Sequence, residues 1–312
     1  METNVKMKLR LSKRVALDPI RKRRRVEALW GYVFLLPQFI GLIAFALIPL
    51  VSIFALSLVK WDGLGPMHFI GLANFFNQFA DPDFQTALIN TVYYTILVVP
   101  AGLLLALLVA MGVNKVRAKT IYRVIYFMPV ITGSVAVSVI WIWLLDGNFG
   151  LINVLLDQWF HIKGPQWLVD AHLVIPSIAI VSIWWGLGFN MLLFLAGLQG
   201  IPGSYLEAAK IDGANKFQLF RHITLPLLSP TLFFVTVISI IHSFEVFDQT
   251  YVMTGGGPGK DSYTIVYHLY TLAFQKFEFG SASAAAVVLF AILLALTLLQ
   301  FTLQRRWVYY EG

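Results

Sequence analysis

The chain has 312 residues, 58% of them apolar and 12% charged, with a mean hydropathy of +0.75. A soluble domain carries roughly a quarter charged residues, so this composition cannot present a water-compatible surface and points to lipid as the solvent. With no cysteine, the chain has no disulfide, thiolate metal site or cysteine nucleophile, and its six scattered histidines show no ligand spacing; no metal and no cofactor is expected.

The charge is concentrated at one end. Residues 1–28 hold ten Lys/Arg and three acids, which accounts for the whole net charge of +7; the run Arg21-Lys22-Arg23-Arg24-Arg25 is its centre. A basic stretch just before an apolar one reads as a topology anchor drawn to anionic headgroups rather than as a nucleic-acid site. The expected domains are this cytoplasmic tail, a transmembrane domain over 29–306 and a short C-terminal tail over 307–312.

A helix needs about 20 apolar residues to cross the hydrocarbon core. Uncharged runs of that length occur at 28–59, 84–114, 124–145, 171–206, 222–244 and 279–304, which predicts an all-α membrane protein of six spans. The first run is too long for a signal peptide and lacks a small-residue cleavage site, so it is expected to be retained. With the N-terminus inside, nineteen Lys/Arg fall on the inner side and four (Lys60, Lys163, Lys260, Lys276) on the outer, so both termini are expected in the cytoplasm.

In chain order, the outer connection over 60–86 carries aromatics and a turn at Asp81-Pro82. The third run carries Trp141 and Trp143 for an aromatic belt, and Trp159, Phe160 and Trp167 suit a helix at headgroup depth over 146–170. The segment over 201–226 follows, between the fourth and fifth spans. Pro202-Gly203 is expected to end the fourth span. Ser204 and Glu207 have the spacing of a capping box, and Gly213 is placed to stop a helix through a left-handed turn. A second short helix is expected from about Ala214 to His222, with Pro226 opening the fifth span. Two readings of Glu207 stand side by side: it caps its own helix, or it faces a partner. Ala208 and Ala209 leave a flat face for close approach, and Phe217 and Phe220 suit a partner's apolar groove.

Polar groups at membrane depth are costly and mark pathways. Asn190 on the fourth span and Glu245, Asp248 and Gln249 on the fifth are the candidates. Glu245 lies about 28 Å along its helix from Pro226 at the usual rise, which puts it in the outer half, with Asp248 near the outer interface. Trp184, Trp185, Phe244 and Phe247 offer faces for stacking or for ordinary core and lipid contact. Gly255-Gly256-Gly257-Pro258-Gly259-Lys260-Asp261-Ser262 imitates a phosphate loop but has Thr254 and Asp261 where that loop needs Gly and Ser/Thr, so ATP binding is not expected here. The last run opens with Gly280 to Ala286, small residues that permit close helix packing.

Glu207-Ala208-Ala209-x3-Gly213-x9-Ile223-x-Leu225-Pro226 resembles, at every defined position, the EAA motif of the membrane subunits of binding-protein-dependent ABC importers. Phe69-x-Gly71-x-x-Asn74-Phe75, Asp81-Pro82-x-Phe84-x-x-Ala87-x-x-Asn90-Thr91, Gly188 to Leu198 and Tyr251 to Pro258 are similar to the carbohydrate-type permeases, the maltose and glycerol-3-phosphate group. This resemblance covers nearly the whole chain. It implies a type I ABC importer permease fold in a bacterial or archaeal cell membrane. It also implies a second permease subunit, a cytoplasmic ATPase dimer that performs all ATP hydrolysis, and an extracytoplasmic binding protein that delivers a sugar. Carried over, Glu207, Ala208, Ala209 and Gly213 couple ATPase closure to the spans, with Phe217 beside them from the groove reading above. From the reading of polar groups and aromatics above, Asn190, Trp185, Phe244, Glu245, Asp248 and Gln249 are expected to line the sugar's path. The large outer domain and extra N-terminal spans of the maltose branch are not expected. An ion-coupled secondary transporter is the alternative and leaves the 201–226 segment without a task.

Overall fold

The computed structural model describes residues 19–309; most of the basic tail and the last three residues of the C-terminal tail lie outside the described residues. The chain divides into two compact units, one ending at Ala55 and one running from Leu56. The described part of the first is one exposed helical run. Helix α1 (Pro19–Leu42) passes through a π-turn at Ile43–Leu47 into α2 (Ile48–Leu56).

The second unit begins with a two-residue antiparallel pair, β1 (Val59–Lys60) with β2 (His68–Phe69), in which Val59 faces Phe69 and Lys60 faces His68. Helix α3 (Ala73–Ala80) follows, and buried Asn74 donates to the carbonyls of Ser57 and Val59 at 2.9 Å each. Asp81-Pro82 is not a free turn. Asp81 caps α4 (Pro82–Lys115), its carboxylate accepting from the Asp83 N–H at 2.8 Å with Pro82 in the first turn.

The core forms where α4 packs along α8 (Val174–Gly200). Ala106 and Ala110 on α4 are fully buried against Met191, Phe194 and Leu195 of α8. Helix α5 (Lys119–Ile131) crosses α8 so closely that a Cβ on Gly188 would lie 2.0 Å from the Tyr126 carbonyl oxygen. Small residues set such approaches where no hydrophobic effect drives spans together.

The expected third span is broken. Helix α5 ends at Ile131, α6 (Ser134–Leu144) starts three residues on, and the two meet at 93°. Each half is too short to cross alone. Pro129 removes a donor near the end of α5, and Thr132 and Gly133 are extended. Among the described residues five helices are therefore long and apolar enough to span, or six if the bent pair counts as one. Helix α7 (Leu151–Phe160) is a short helix within the 146–170 connection.

After α8 come α9 (Gly203–Ile211), α10 (Lys216–Leu219) and a π-turn at Phe220–Thr224 that runs without a break into α11 (Leu225–Phe244). No separate second helix exists: the apolar helix extends from Lys216 to Phe244, and Pro226 lies inside it. The turn widens just ahead of the proline, with the Leu225 N–H donating to the Phe220 carbonyl. The same pattern precedes Pro49, where the Ile48 N–H reaches Ile43. Helices α12 (Asp248–Thr254), α13 (Ile265–Tyr270), a π-turn at Thr271–Gln275 and α14 (Phe279–Gln304) complete the unit. The small residues opening α14 are buried, and α14 packs on α3 and α13.

Candidate functional site

Two places in the second unit gather the polar groups that the apolar runs leave over. The first is a cavity of about 440 Å³ between α4, the α5–α6 junction, α8, the end of α11 and the start of α12. The broken helix opens onto it through Val130 and Ser134. Non-helical backbone at membrane depth is tolerated where it is buried in protein or lines such a space. The carbonyl that the break releases is used: Thr132 accepts from the Trp185 indole N–H at 3.1 Å. That bond fixes Trp185 in the cavity wall.

Of the expected path residues, Asn190, Trp185, Glu245, Asp248 and Gln249 line the cavity. The Ser134 hydroxyl donates to the Asp248 carboxylate, tying α6 to α12. Gln249 is buried. Glu245 differs from expectation: it is not within the run of its helix but forms the C-cap of α11, and it is exposed at the cavity. Its carboxylate lies 3.9 Å from the His242 Nδ1, and both side chains are more than half exposed. Phe244 does not belong to the wall. It is 4% exposed and packs in the core with Phe84, Tyr263 and Leu289, because the α11 face that bears it turns away from the cavity. Among the described residues, neither a lysine nor an arginine lines the space.

Sequence reasoning missed Ser134, His242 and Tyr94 as lining residues. Ser134 carries a visible signal, since it follows Thr132-Gly133 inside an otherwise apolar run. Phe247 in the wall stacks on Tyr251 at 5.2 Å and meets Tyr270 at 5.2 Å, beginning an aromatic series that continues to Phe274. Against Tyr270, the neighbouring Tyr251 hydroxyl raises the phenol pKa above its ordinary value.

The second place is the segment between α8 and α11. Helix α9 carries Glu207, Ala208 and Ala209, and ends in a left-handed Gly213 at φ +82°. The Ala214 N–H closes back on the Ala209 carbonyl at 2.9 Å, the glycine-terminated helix end that the spacing suggested. The capping expectation is corrected. Pro202 occupies the N-cap of α9, which has no side-chain cap, so Ser204 and Glu207 lie inside the helix and form no capping box. The box is built one helix later: Asn215 accepts from the Phe217 and Gln218 N–H groups at 3.0 Å each, and Gln218 returns a bond to the Asn215 N–H at 2.8 Å. Glu207 is thus exposed and, among the described residues, makes no side-chain hydrogen bond or ion pair within the chain. Along the same segment Tyr205, Ile211 and Phe217 are 48%, 86% and 68% exposed.

Residues 87–309 match the family described as binding-protein-dependent transport system inner membrane component. The chain is 38% identical over 305 residues to a probable ABC transporter permease protein, YesP, of Bacillus subtilis strain 168, covering 95% of this chain and 97% of the relative. It is 33% identical over 284 residues to the sn-glycerol-3-phosphate transport system permease protein UgpA of Agrobacterium fabrum, covering 89% and 96%. Among solved structures, it superposes with a TM-score of 0.79 at 25% identity on a chain of a bacterial ABC transporter involved in the import of the acidic polysaccharide alginate, covering 92% and 99%.

Proposed function

The chain belongs to the family of binding-protein-dependent transport inner-membrane components, a non-catalytic permease of an ABC importer, and from that premise we propose that it moves a neutral di- or oligosaccharide. The observation that carries the cargo class is the cavity wall. Carboxylates at Glu245 and Asp248 can accept hydrogen bonds from sugar hydroxyls, Trp185 and Phe247 offer faces for sugar rings, and no lysine or arginine among the described residues lines the wall to hold an anion. The two carboxylates would repel a sugar phosphate or a uronate at such short range. The relatives named for glycerol 3-phosphate and alginate carry anionic cargo, so the cargo class distinguishes this chain from them.

The path is completed by a second permease subunit, and the segment bearing Glu207, Ala208, Ala209, Gly213 and Phe217 docks in a cleft of a cytoplasmic ATPase. Both termini then lie in the cytoplasm, on the side of the lysine- and arginine-rich connections. ATPase closure pushes on α9; because α10 continues into α11, the push is delivered to a helix that ends at Glu245. Two packed arrangements of the spans around one cavity give alternating access. An ion-coupled mechanism would need no such exposed segment between two spans.

A ligand screen of the binding protein that co-purifies with the tagged chain tests the cargo. Binding of neutral oligosaccharides is expected; binding confined to sugar phosphates or uronates would refute the cargo class.

A further inference from the structure

A second cavity of about 320 Å³ lies at the opposite end of α8, between the last turn of α4, the segment α9–α10 and the π-turn ahead of α11. Lys115, Lys210 and Lys216 all line it, together with Asn114 and Thr224, and among the described residues no acidic one does. None of the three ammonium groups is in an ion pair among the described residues. A fourth, that of Lys119, stands 3.4 Å from the Asn114 side-chain oxygen. Three like charges gathered on one space repel one another, and no ion pair among the described residues offsets this. The remaining wall is apolar, with Leu206, Leu219 and Phe220. Lys115 and Lys216 also stand at the ends of two apolar spanning helices, where helices leave hydrocarbon for headgroups.

We propose that this cavity binds the phosphate of an anionic phospholipid of the cytoplasmic leaflet, with the lysines on the phosphodiester and the apolar wall against the glycerol end. Basic pockets between span ends on that side suit such headgroups, and the leaflet's own negative potential favours them over a freely diffusing phosphate. The assignment to that leaflet rests on the orientation proposed above; the binding chemistry does not. Because Lys210 is on α9 and Lys115 on α4, one headgroup bridges the Glu207 helix to the core, so lipid composition sets the stiffness of that helix.

The test uses the full chain in nanodiscs of phosphatidylcholine with and without phosphatidylglycerol, reading acylation of each lysine by mass spectrometry. Phosphatidylglycerol is expected to slow acylation of Lys115, Lys210 and Lys216 about tenfold and to leave Lys163 and Lys276 unchanged. In a Lys115→Gln/Lys216→Gln variant the protection of Lys210 is expected to vanish. Equal rates in both discs, uniform slowing of every lysine, or protection by inorganic phosphate without phosphatidylglycerol would each overturn the proposal. The leaflet is read separately. The chain has no cysteine, so Ser204→Cys can be labelled with an impermeant maleimide in right-side-out vesicles. Labelling only after permeabilisation is expected; labelling from outside overturns the leaflet while leaving the nanodisc result standing.

Discussion

Glu207 stands on an exposed nine-residue helix whose fixed points are all local: Pro202 before it, Gly213 after it, and the Asn215–Gln218 box beyond. Asp248, by contrast, owes its place to Ser134, more than a hundred residues earlier in the chain, and shares a wall with side chains from α4, α8 and α11. The comparison separates two ways of holding a polar group. Local turns present a carboxylate outward to solvent, free for another group to engage. Tertiary closure holds a carboxylate inward, partly satisfied, beside space for a small molecule. Mutations should therefore act all-or-none in the first region and by degrees in the second.

The largest effect is expected at Glu207. Glu207→Lys should abolish ATPase-subunit co-purification and transport while membrane insertion stays normal, since reversing a charge in a docked cleft sets like charges together; unimpaired uptake would remove the residue from coupling. Next comes Asp248. Asp248→Ala should weaken transport about tenfold through its KM by removing a charged hydrogen-bond acceptor, while Asp248→Asn, which still accepts from Ser134, should lose much less. Equal losses in the two would mean that the charge, rather than the bond to Ser134, matters. Gly188→Ala should destabilise the purified chain by about 1–3 kcal/mol, seen as a lowered midpoint of thermal unfolding in detergent, because a methyl has no room against the α5 backbone.

Two smaller effects probe the frame rather than the sites. His268 on α13 is buried, its Nε2 3.0 Å from the Gln78 side-chain oxygen, and burial pushes its pKa below the ordinary value despite Asp81 and Asp83 nearby. The folded state then binds fewer protons than the unfolded, so the contact's stability is full above the unfolded pKa of about 6.5 and is lost as pH falls through the lower folded value. Melting curves should show that loss in the native chain and not in His268→Gln. Trp185→Phe removes one donor from the Thr132 carbonyl and should cost about 1 kcal/mol; an unchanged melting curve would detach that bond from the stability of the break.

How much of this was legible beforehand follows the same division. The spanning runs, Gly213 and the exposed segment are written in local composition and spacing, so they could be read. The break at Thr132–Gly133 was only hinted at: Pro129, Thr132, Gly133 and Ser134 interrupt an otherwise apolar run, but nothing local fixes the 93° bend, and the freed Thr132 carbonyl is taken up by an indole N–H from α8. Phe244 and Glu245 are neighbours in sequence, yet one is core and the other open. Only the rotation of α11 against α4 separates them, and no one-dimensional pattern carries that angle. The misplaced capping box has a simpler cause. Ser-x-x-Glu has the spacing, but Pro202 takes the N-cap of α9 and leaves Ser204 inside the helix.

The π-turn ahead of Pro226 makes the helix from Lys216 to Phe244 one residue longer than an α-helix of the same reach. One residue is about 100° of rotation. Phe217 and the face of α11 are thus held out of phase by roughly a quarter of a turn, and deleting any single residue from Phe220 to Thr224 would realign them. In the coupling proposed above, the surplus residue would work as a clutch plate: it would fix the angle at which a push on α9 is delivered along α11.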